Sequence, residues 1–183
     1  MYNGIKIIAE VKTKSLYGFK SNKSWEYLFD IANEIGDIIS IHTDIRWGGS
    51  FDLIKKARRL TKKPILAKGI HRVDDDIVRA IEYGADHVLV VGRIPGVYLN
   101  SCFIEPLNLD ELSGIPNYYR VVWNSRDLSN GGLKNETFEE ARELWKWWLC
   151  QASNIKSLND IKKGADAVLV GSYLENFYGS MIR

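Results

Sequence analysis

Cysteine is scarce in this chain: two in 183 residues, too few for a disulfide framework. Cys102 and Cys150 fall inside apolar strand-like runs and suit a reduced, cytoplasmic protein, as small buried residues rather than nucleophiles. Histidine is as sparse. His42, His71 and His87 show no metal-ligand spacing and read as structural or surface groups. No run of about 18 apolar residues occurs, which argues against a membrane span and a membrane partner. The opening stretch, MYNGIKIIAEVK, lacks a signal-peptide layout and runs straight into a strand pattern. Excess charge of one sign is missing too. Lys and Arg number 25 against 23 Asp and Glu, and a net charge of +2 gives no case for nucleic acid. The one basic run, KKARRLTKK at 55–63, ends a helical pattern and reads as a solvated face. With no linker or low-complexity tract, residues 1–183 read as one domain. A chain of this length buries roughly 70% of its unfolded surface.

What the chain does have is a repeat. GADHVLVVG (84–92) and GADAVLVGS (164–172) lie 80 residues apart. Each is a continuous apolar run after a glycine, as suits a strand buried on both faces of a parallel sheet. Each glycine follows a helical-looking segment, VDDDIVRAIEY or SLNDIKK, and glycine is the usual left-handed helix stop.

Eight strand candidates recur along the chain: 5–12, 38–43, 64–69, 87–92, 102–106, 120–124, 149–153 and 167–171. Helical patterns follow at 24–35, 50–60, 74–83 and 137–148. The last opens with a capping box, Thr137 to Glu140, and puts Phe138, Ala141, Trp145 and Trp148 on one face with Trp147 outward. Eight strands alternating with helices predict an α/β fold, a minimal (β/α)8 barrel. The repeat then falls on strands four and eight, equivalent places in two halves. RIPGVYLNS is too short for a normal helix between strands four and five, so the helix after strand four is expected to be reduced or missing. Val97, Tyr98, Leu99 and the segment around Leu109 are expected to cover that gap within one chain, giving a monomer rather than a two-fold homodimer.

In such barrels the reactive groups sit at the C-terminal strand ends. Here those ends carry Glu10, Lys12, Lys14 and Ser15; Lys68; Glu105; Asn124 and Arg126; Ser153; and Gly171 with Ser172. Side chains alternate along a strand, so Glu10 and Lys12 share a side, as do Asn124 and Arg126. Opposite charges therefore converge on one mouth, where they need partners or a function. Ser153, Gly171 and Ser172 fit the phosphate site commonly built after strands seven and eight.

These stretches resemble indole-3-glycerol phosphate synthase. IIAEVKTKS, HTDIRWGGSFDLIKKAR, PILAKG, FIE, NSRDL and GADAVLVGSYL follow the family's order across most of 5–176. The resemblance implies a carboxy-lyase of tryptophan biosynthesis. Such an enzyme closes the indole ring of 1-(2-carboxyphenylamino)-1-deoxyribulose 5-phosphate with loss of CO2 and water. It implies a small phosphorylated substrate and no metal or redox cofactor. By position, Lys68 resembles the general acid, Glu105 its carboxylate partner in dehydration, and Lys12 the lysine gripping the substrate carboxylate. Glu10 and Asn124 resemble residues that orient the ribulose hydroxyls and the lysines. Arg126, Ser15, Ser153, Gly171 and Ser172 resemble phosphate or substrate contacts.

The chain also departs from the family. It lacks the helical stretch that usually precedes strand one and caps the mouth. It has Gly69-Ile70 where Asp-Phe is usual and Ala152-Ser153-Asn154 where Glu-Ser-Gly is usual. Trp47 is the candidate substitute for the missing aromatic. Two other readings stand beside this one. A phosphoribosylanthranilate isomerase-like enzyme would need a cysteine at the end of strand one, where this chain has Val11 and Lys12. A non-catalytic or repurposed barrel that binds a phosphate ligand needs only the strand seven and eight site.

Overall fold

The computed structural model describes residues 4–182. Eight strands pair in parallel and close in sequence order: β1 (Lys6–Val11), β2 (Ile38–His42), β3 (Ile65–Lys68), β4 (His87–Val91), β5 (Cys102–Glu105), β6 (Arg120–Asn124), β7 (Leu149–Ala152) and β8 (Ala167–Val170). The chain is a (β/α)8 barrel, and every strand lies within its expected run. Alternate residues divide between two cores. Ile8, Leu66, Leu89, Phe103, Val122, Cys150 and Leu169 fill the barrel, while Ile7, Ala9, Val88, Val90, Val121 and Val168 pack under the outer layer. This two-sided burial is why the runs are apolar without alternation.

Among the described residues six helices form that layer: α1 (Trp25–Ile35), α2 (Phe51–Leu60), α3 (Asp74–Glu82), α4 (Leu109–Ser113), α5 (Phe138–Leu144) and α6 (Leu174–Met181). Ser24, Ser50 and Thr137 cap α1, α2 and α5 through their hydroxyls, and the Thr137–Glu140 capping box forms. The basic run at the end of α2 is tied down. Arg58 pairs with Asp86 and donates to the carbonyls of Thr61 and Lys63, and Lys63 donates to those of Asn33 and Gly36. No helix among the described residues is long and apolar enough to cross a membrane.

Two of the eight outer positions have no α-helix. After β4 the chain makes only a 3-10 turn at Leu99–Ser101, as the short connection predicts. After β7 the expected helix over SLNDIKK is also absent, replaced by a 3-10 turn at Leu158–Asp160. The cause lies on the outer face of β7. Gln151 stands there, buried, donating to the Asp160 carbonyl at 2.9 Å and accepting from the Lys162 N–H at 2.8 Å. An amide that satisfies an extended segment takes the place of an apolar residue that would pack a helix. Gly164 still turns left-handed at φ +87°, like Gly84 at +105°.

The helix expected over 137–148 stops at Leu144. Residues 145–148 run as a link to the start of β7, their freed carbonyls gathered by Arg142, which donates to those of Trp145 and Trp147. Trp145 is buried against the outer layer and Trp147 is half exposed, as expected. Trp148, however, leaves the helix face and meets Phe103 edge-on at 5.3 Å, packing against the barrel interior.

The gap after β4 is covered in part by the chain itself. Val97 and Leu109 pack against the outer core, and the Cys102 thiol meets the Val97 carbonyl at 3.8 Å. Tyr98 and Leu99 point outward, 47% and 39% exposed. We expect a monomer on this basis. Tyr98→Asp should leave the solution mass unchanged and stability within about 0.5 kcal/mol, since the site is exposed and Asp tolerates its φ of +48°. A dimer by light scattering that this substitution splits would show cover by a second copy instead.

Candidate active site

Period two along each strand brings one inward residue to the mouth from every strand end. The ring is Glu10, His42, Lys68, Val91, Glu105, Asn124, Ala152 and Gly171, with Lys12 and Arg126 one step above. Charged groups thus stand on β1, β3 and β5, while β7 and β8 contribute almost no bulk. That asymmetry leaves open space on the β7–β8 side.

Lys68 Nζ donates to Glu10 Oε2 at 3.1 Å, the lysine side chain 16% exposed and the carboxylate 1%. Burial alone would raise the Glu10 carboxyl. The charges of Lys68 and Lys12 and the hydrogen bond from Lys68 outweigh it and hold the group at about 2. Burial pulls the Lys12 ammonium below its usual range, partly opposed by Glu10. Glu105 goes the other way. Its burial lifts the carboxyl above the usual range, against the pull of Lys68 and of its hydrogen bond from Asn124. One buried carboxyl is therefore kept ionised and the other drawn towards its protonated form. Such a divergence separates acid–base roles within one site.

Asn124 organises the far side. Its Nδ2 donates to Glu105 Oε1 at 2.8 Å, and its Oδ1 accepts from the Ser153 hydroxyl at 2.6 Å and the Arg126 N–H at 3.0 Å. Arg126 donates to the Gly131 carbonyl at 2.6 Å and lies over the Tyr17 ring, whose hydroxyl donates to the Leu128 carbonyl at 2.7 Å. The loops after β1 and β6 are thereby clasped across the mouth. Gly131 permits it: at φ +81°, a Cβ there would lie 2.2 Å from the Tyr17 ring.

Three spaces at the mouth share Lys12 and Arg126 among their lining residues. An inner compartment of about 50 Å3 is lined by the apolar Trp47, Ile70, Leu89 and Val91, by the adjacent pair His42 and Lys68 on β2 and β3, and by Glu105, Asn124 and Ser153. A second, of about 30 Å3, lies among Glu10, Ser153, Asn154, Gly171, Ser172 and Tyr173. Outside both, a groove of about 720 Å3 runs between the β1 loop and the start of α6. In the second space, Ser153 and Asn154 are both left-handed, at φ +73° and +57°. Among the described residues, the Ser172 and Tyr173 N–H groups have no acceptor in the chain. Free N–H groups ahead of a helix are the usual anion receptors.

Most of the expected residues converge here. Lys12, Lys68, Glu10, Glu105, Asn124, Arg126, Ser153, Gly171 and Ser172 border the inner spaces, and Trp47 forms the aromatic wall. Ser15 does not reach them. It lines the outer groove, and its Oγ accepts from the N–H groups of Tyr17 and Phe19, closing the turn of the β1 loop. Gly171 has a second reason to be glycine: a Cβ there would lie 2.1 Å from Glu10 Oε2. His42, set aside from sequence as structural or surface, is instead a wall of the inner compartment. The signal was present in IISIHT. Alternation from Ile38 through Ser40 puts His42 inward, where it pairs in register with Lys68.

No family model matches the chain. Over 90 residues it is 36% identical to an indole-3-glycerol phosphate synthase from Sulfurisphaera tokodaii, covering 48% of this chain and 37% of that protein. Over 187 residues it is 27% identical to the tryptophan biosynthesis protein TrpCD of Archaeoglobus fulgidus, covering 91% of this chain and 34% of that one. The matches thus span little more than a third of these relatives' own length. A solved 3-hexulose-6-phosphate synthase aligns over 96% of this chain and 99% of its own with a TM-score of 0.68, and at 14% identity that likeness shows the fold alone. The chain is a (β/α)8 barrel that is similar, at modest identity and over part of their length, to curated proteins named indole-3-glycerol phosphate synthase and tryptophan biosynthesis protein.

Proposed function

We propose that this chain is an indole-3-glycerol phosphate synthase, a carboxy-lyase acting on 1-(2-carboxyphenylamino)-1-deoxyribulose 5-phosphate. The observation that carries the reading is the divergent pair of buried carboxyls around Lys68: Glu10 held ionised against it, Glu105 raised across the mouth. The reaction needs such a set. As the ring carbon bearing the carboxylate attacks the ribulose ketone, the Lys68 ammonium gives a proton to the ketone oxygen. Loss of CO2 restores the aromatic ring. The new hydroxyl then leaves with a proton as water, and removal of one carbon-bound proton completes the indole. Glu105, within the field of Lys68 and bonded to Asn124, is placed to exchange protons in that dehydration. Glu10 holds Lys68 in position. Lys12 and Arg126, common to all three spaces, suit the carboxylate and the sugar.

The phosphate belongs where the second space meets the outer groove, at Gly171 and the free N–H groups of Ser172 and Tyr173, with Ser153 beside them. Inorganic phosphate soaked into crystals should bind there; an ion bound elsewhere, with this space filled by side chains, would count against the assignment. One observation favours the rival reading, a barrel that binds a phosphate ligand without turnover. The inner compartment holds about 50 Å3, while cavities that admit benzene are about 150 Å3. An aryl ring that enters it therefore extends beyond the compartment towards the open mouth. Turnover of the carboxyphenylamino substrate, followed by indole fluorescence, decides between the two: product supports the synthase, and tight binding without product supports the rival.

A further inference from the structure

His42 has a chemistry that no role above uses. It is 6% exposed and lies with its ring parallel to that of Trp47, at 5.1 Å and 6°. Burial, with the charges of Lys68 and Lys12 added, drops its imidazolium to about 3 despite the opposing pull of Glu10, so the ring is neutral. The Asp44 backbone N–H donates to Nδ1 at 3.3 Å. A nitrogen that accepts carries no proton, so the proton of the neutral ring sits on Nε2. Among the described residues Nε2–H has no acceptor. Nor is it one of the sealed polar atoms, and His42 lines the inner compartment.

Around His42 the compartment is lined by the apolar Trp47, Ile70, Leu89 and Val91, with Lys68 as the in-register neighbour of His42 on β3. With phosphate held beyond Lys12 and Arg126, the aryl end of the proposed substrate is the part that enters. An aryl group bearing one ortho carboxylate brings a single strong acceptor into that wall. The geometry points to His42 as a specificity-determining residue whose Nε2–H donates to the substrate's aryl carboxylate and selects carboxylated aryl ligands over those lacking the group. The inference rests on the synthase reading and adds to it. Lys12 supplies charge to the carboxylate from the mouth, and His42 supplies a directed, uncharged donor from the wall. A neutral donor suits a carboxylate that must leave as CO2, because it adds no second cation to hold that charge in place.

The test compares wild type with His42→Leu and His42→Gln, measuring KM and kcat for the carboxyphenylamino substrate. The dissociation constant of indole-3-glycerol phosphate, the decarboxylated product, is the control. A hydrogen bond to a charged group corresponds to a loss of roughly 10–100-fold. His42→Leu should raise KM by that factor, with a smaller change in kcat, and leave product affinity within threefold. His42→Gln, which keeps an amide donor near the Nε2 position, should recover most of the loss. An unchanged KM in His42→Leu, or an equal loss of product affinity, would overturn the inference, the latter showing a packing role beside Trp47. If the leucine variant does not fold by circular dichroism, His42→Asn takes its place, since its amide is too short to reach the Nε2 position. Absence of both turnover and substrate binding in the wild type would instead remove the synthase reading, and this inference with it.

Discussion

Lys68→Ala is expected to lower turnover by roughly 10²–10⁴-fold, the usual worth of a positioned general acid, with the barrel still folded. Lys68 stands where three requirements meet. It reaches the mouth from β3, it is 16% exposed and so open to a ligand, and Glu10 fixes its ammonium at 3.1 Å. Removing it leaves the Glu10 carboxylate buried without that partner. The group has a less costly response than unfolding, since a carboxyl freed of a cation takes up a proton in a dry site. Lys12 also remains nearby to offset its charge. The far-ultraviolet circular dichroism of the variant should therefore match wild type while indole formation falls. Glu105→Gln should be comparably severe for a different reason. The amide still accepts from Asn124 Nδ2, so the bonded network survives, but it cannot exchange a proton. A near-normal kcat in Lys68→Ala would remove the acid assignment. A near-normal kcat in Glu105→Gln would move the dehydration step to another group.

The strands were legible in the sequence because burial on both faces makes them continuous apolar runs, and each observed strand lies inside its expected range. The missing helix after β4 could be read by length alone. The missing helix after β7 could not, because SLNDIKK has helical composition and even a capping serine, Ser157. What decides that segment is Gln151, a residue on a neighbouring strand whose amide reaches the backbone at Asp160 and Lys162. Tertiary contacts of this kind override local propensity and leave no local signature. The end of α5 failed for the same reason: the chain must drop to the start of β7, and Arg142 supplies the donors that let it leave the helix.

At the site, residue types at strand ends were sufficient to collect Glu10, Lys12, Lys68, Glu105, Asn124 and Arg126. Their division of labour was not readable. That Glu10 is held ionised and Glu105 raised depends on which of them touches Lys68, a matter of ångströms across the barrel. Ser15 reads as a site residue from its place at the end of strand one and from the family resemblance, yet its hydroxyl is engaged in its own loop. An isolated histidine without metal spacing reads more often as structural, which hides His42. The alternation of IISIHT carried the opposite message.

Gly171→Ala should cost both stability and turnover, although it adds a single methyl. The backbone there has no positive φ, so alanine meets no conformational penalty of the left-handed kind. The obstacle is Glu10, whose Oε2 lies 2.1 Å and whose Cδ lies 3.0 Å from the place a Cβ would occupy. That oxygen is the one that accepts from Lys68. The added methyl must therefore displace the carboxylate from its cation inside the core, combining overpacking of about 1–3 kcal/mol with a weakened buried pair. Turnover should fall with stability, because Lys68 loses its anchor. A phosphate contact alone predicts a different pattern, with weaker phosphate binding and unchanged stability. Glu10→Ala separates the two. It leaves Lys68 unpaired at a cost of about 3 kcal/mol, and it also empties the space that the alanine methyl needs. In the Glu10→Ala background, Gly171→Ala should then cost almost nothing further in stability, a strong positive coupling for residues in contact. The pH dependence has a definite sign. Glu10 titrates at about 2 in the fold against 4.5 ordinarily, so its contribution is full above the ordinary value and is lost as pH falls towards about 2. The stability gap between wild type and Glu10→Ala, measured by urea unfolding, should be constant near neutrality and close in acid. Additive costs for Gly171→Ala and Glu10→Ala would show that the glycine serves the phosphate and not the carboxylate.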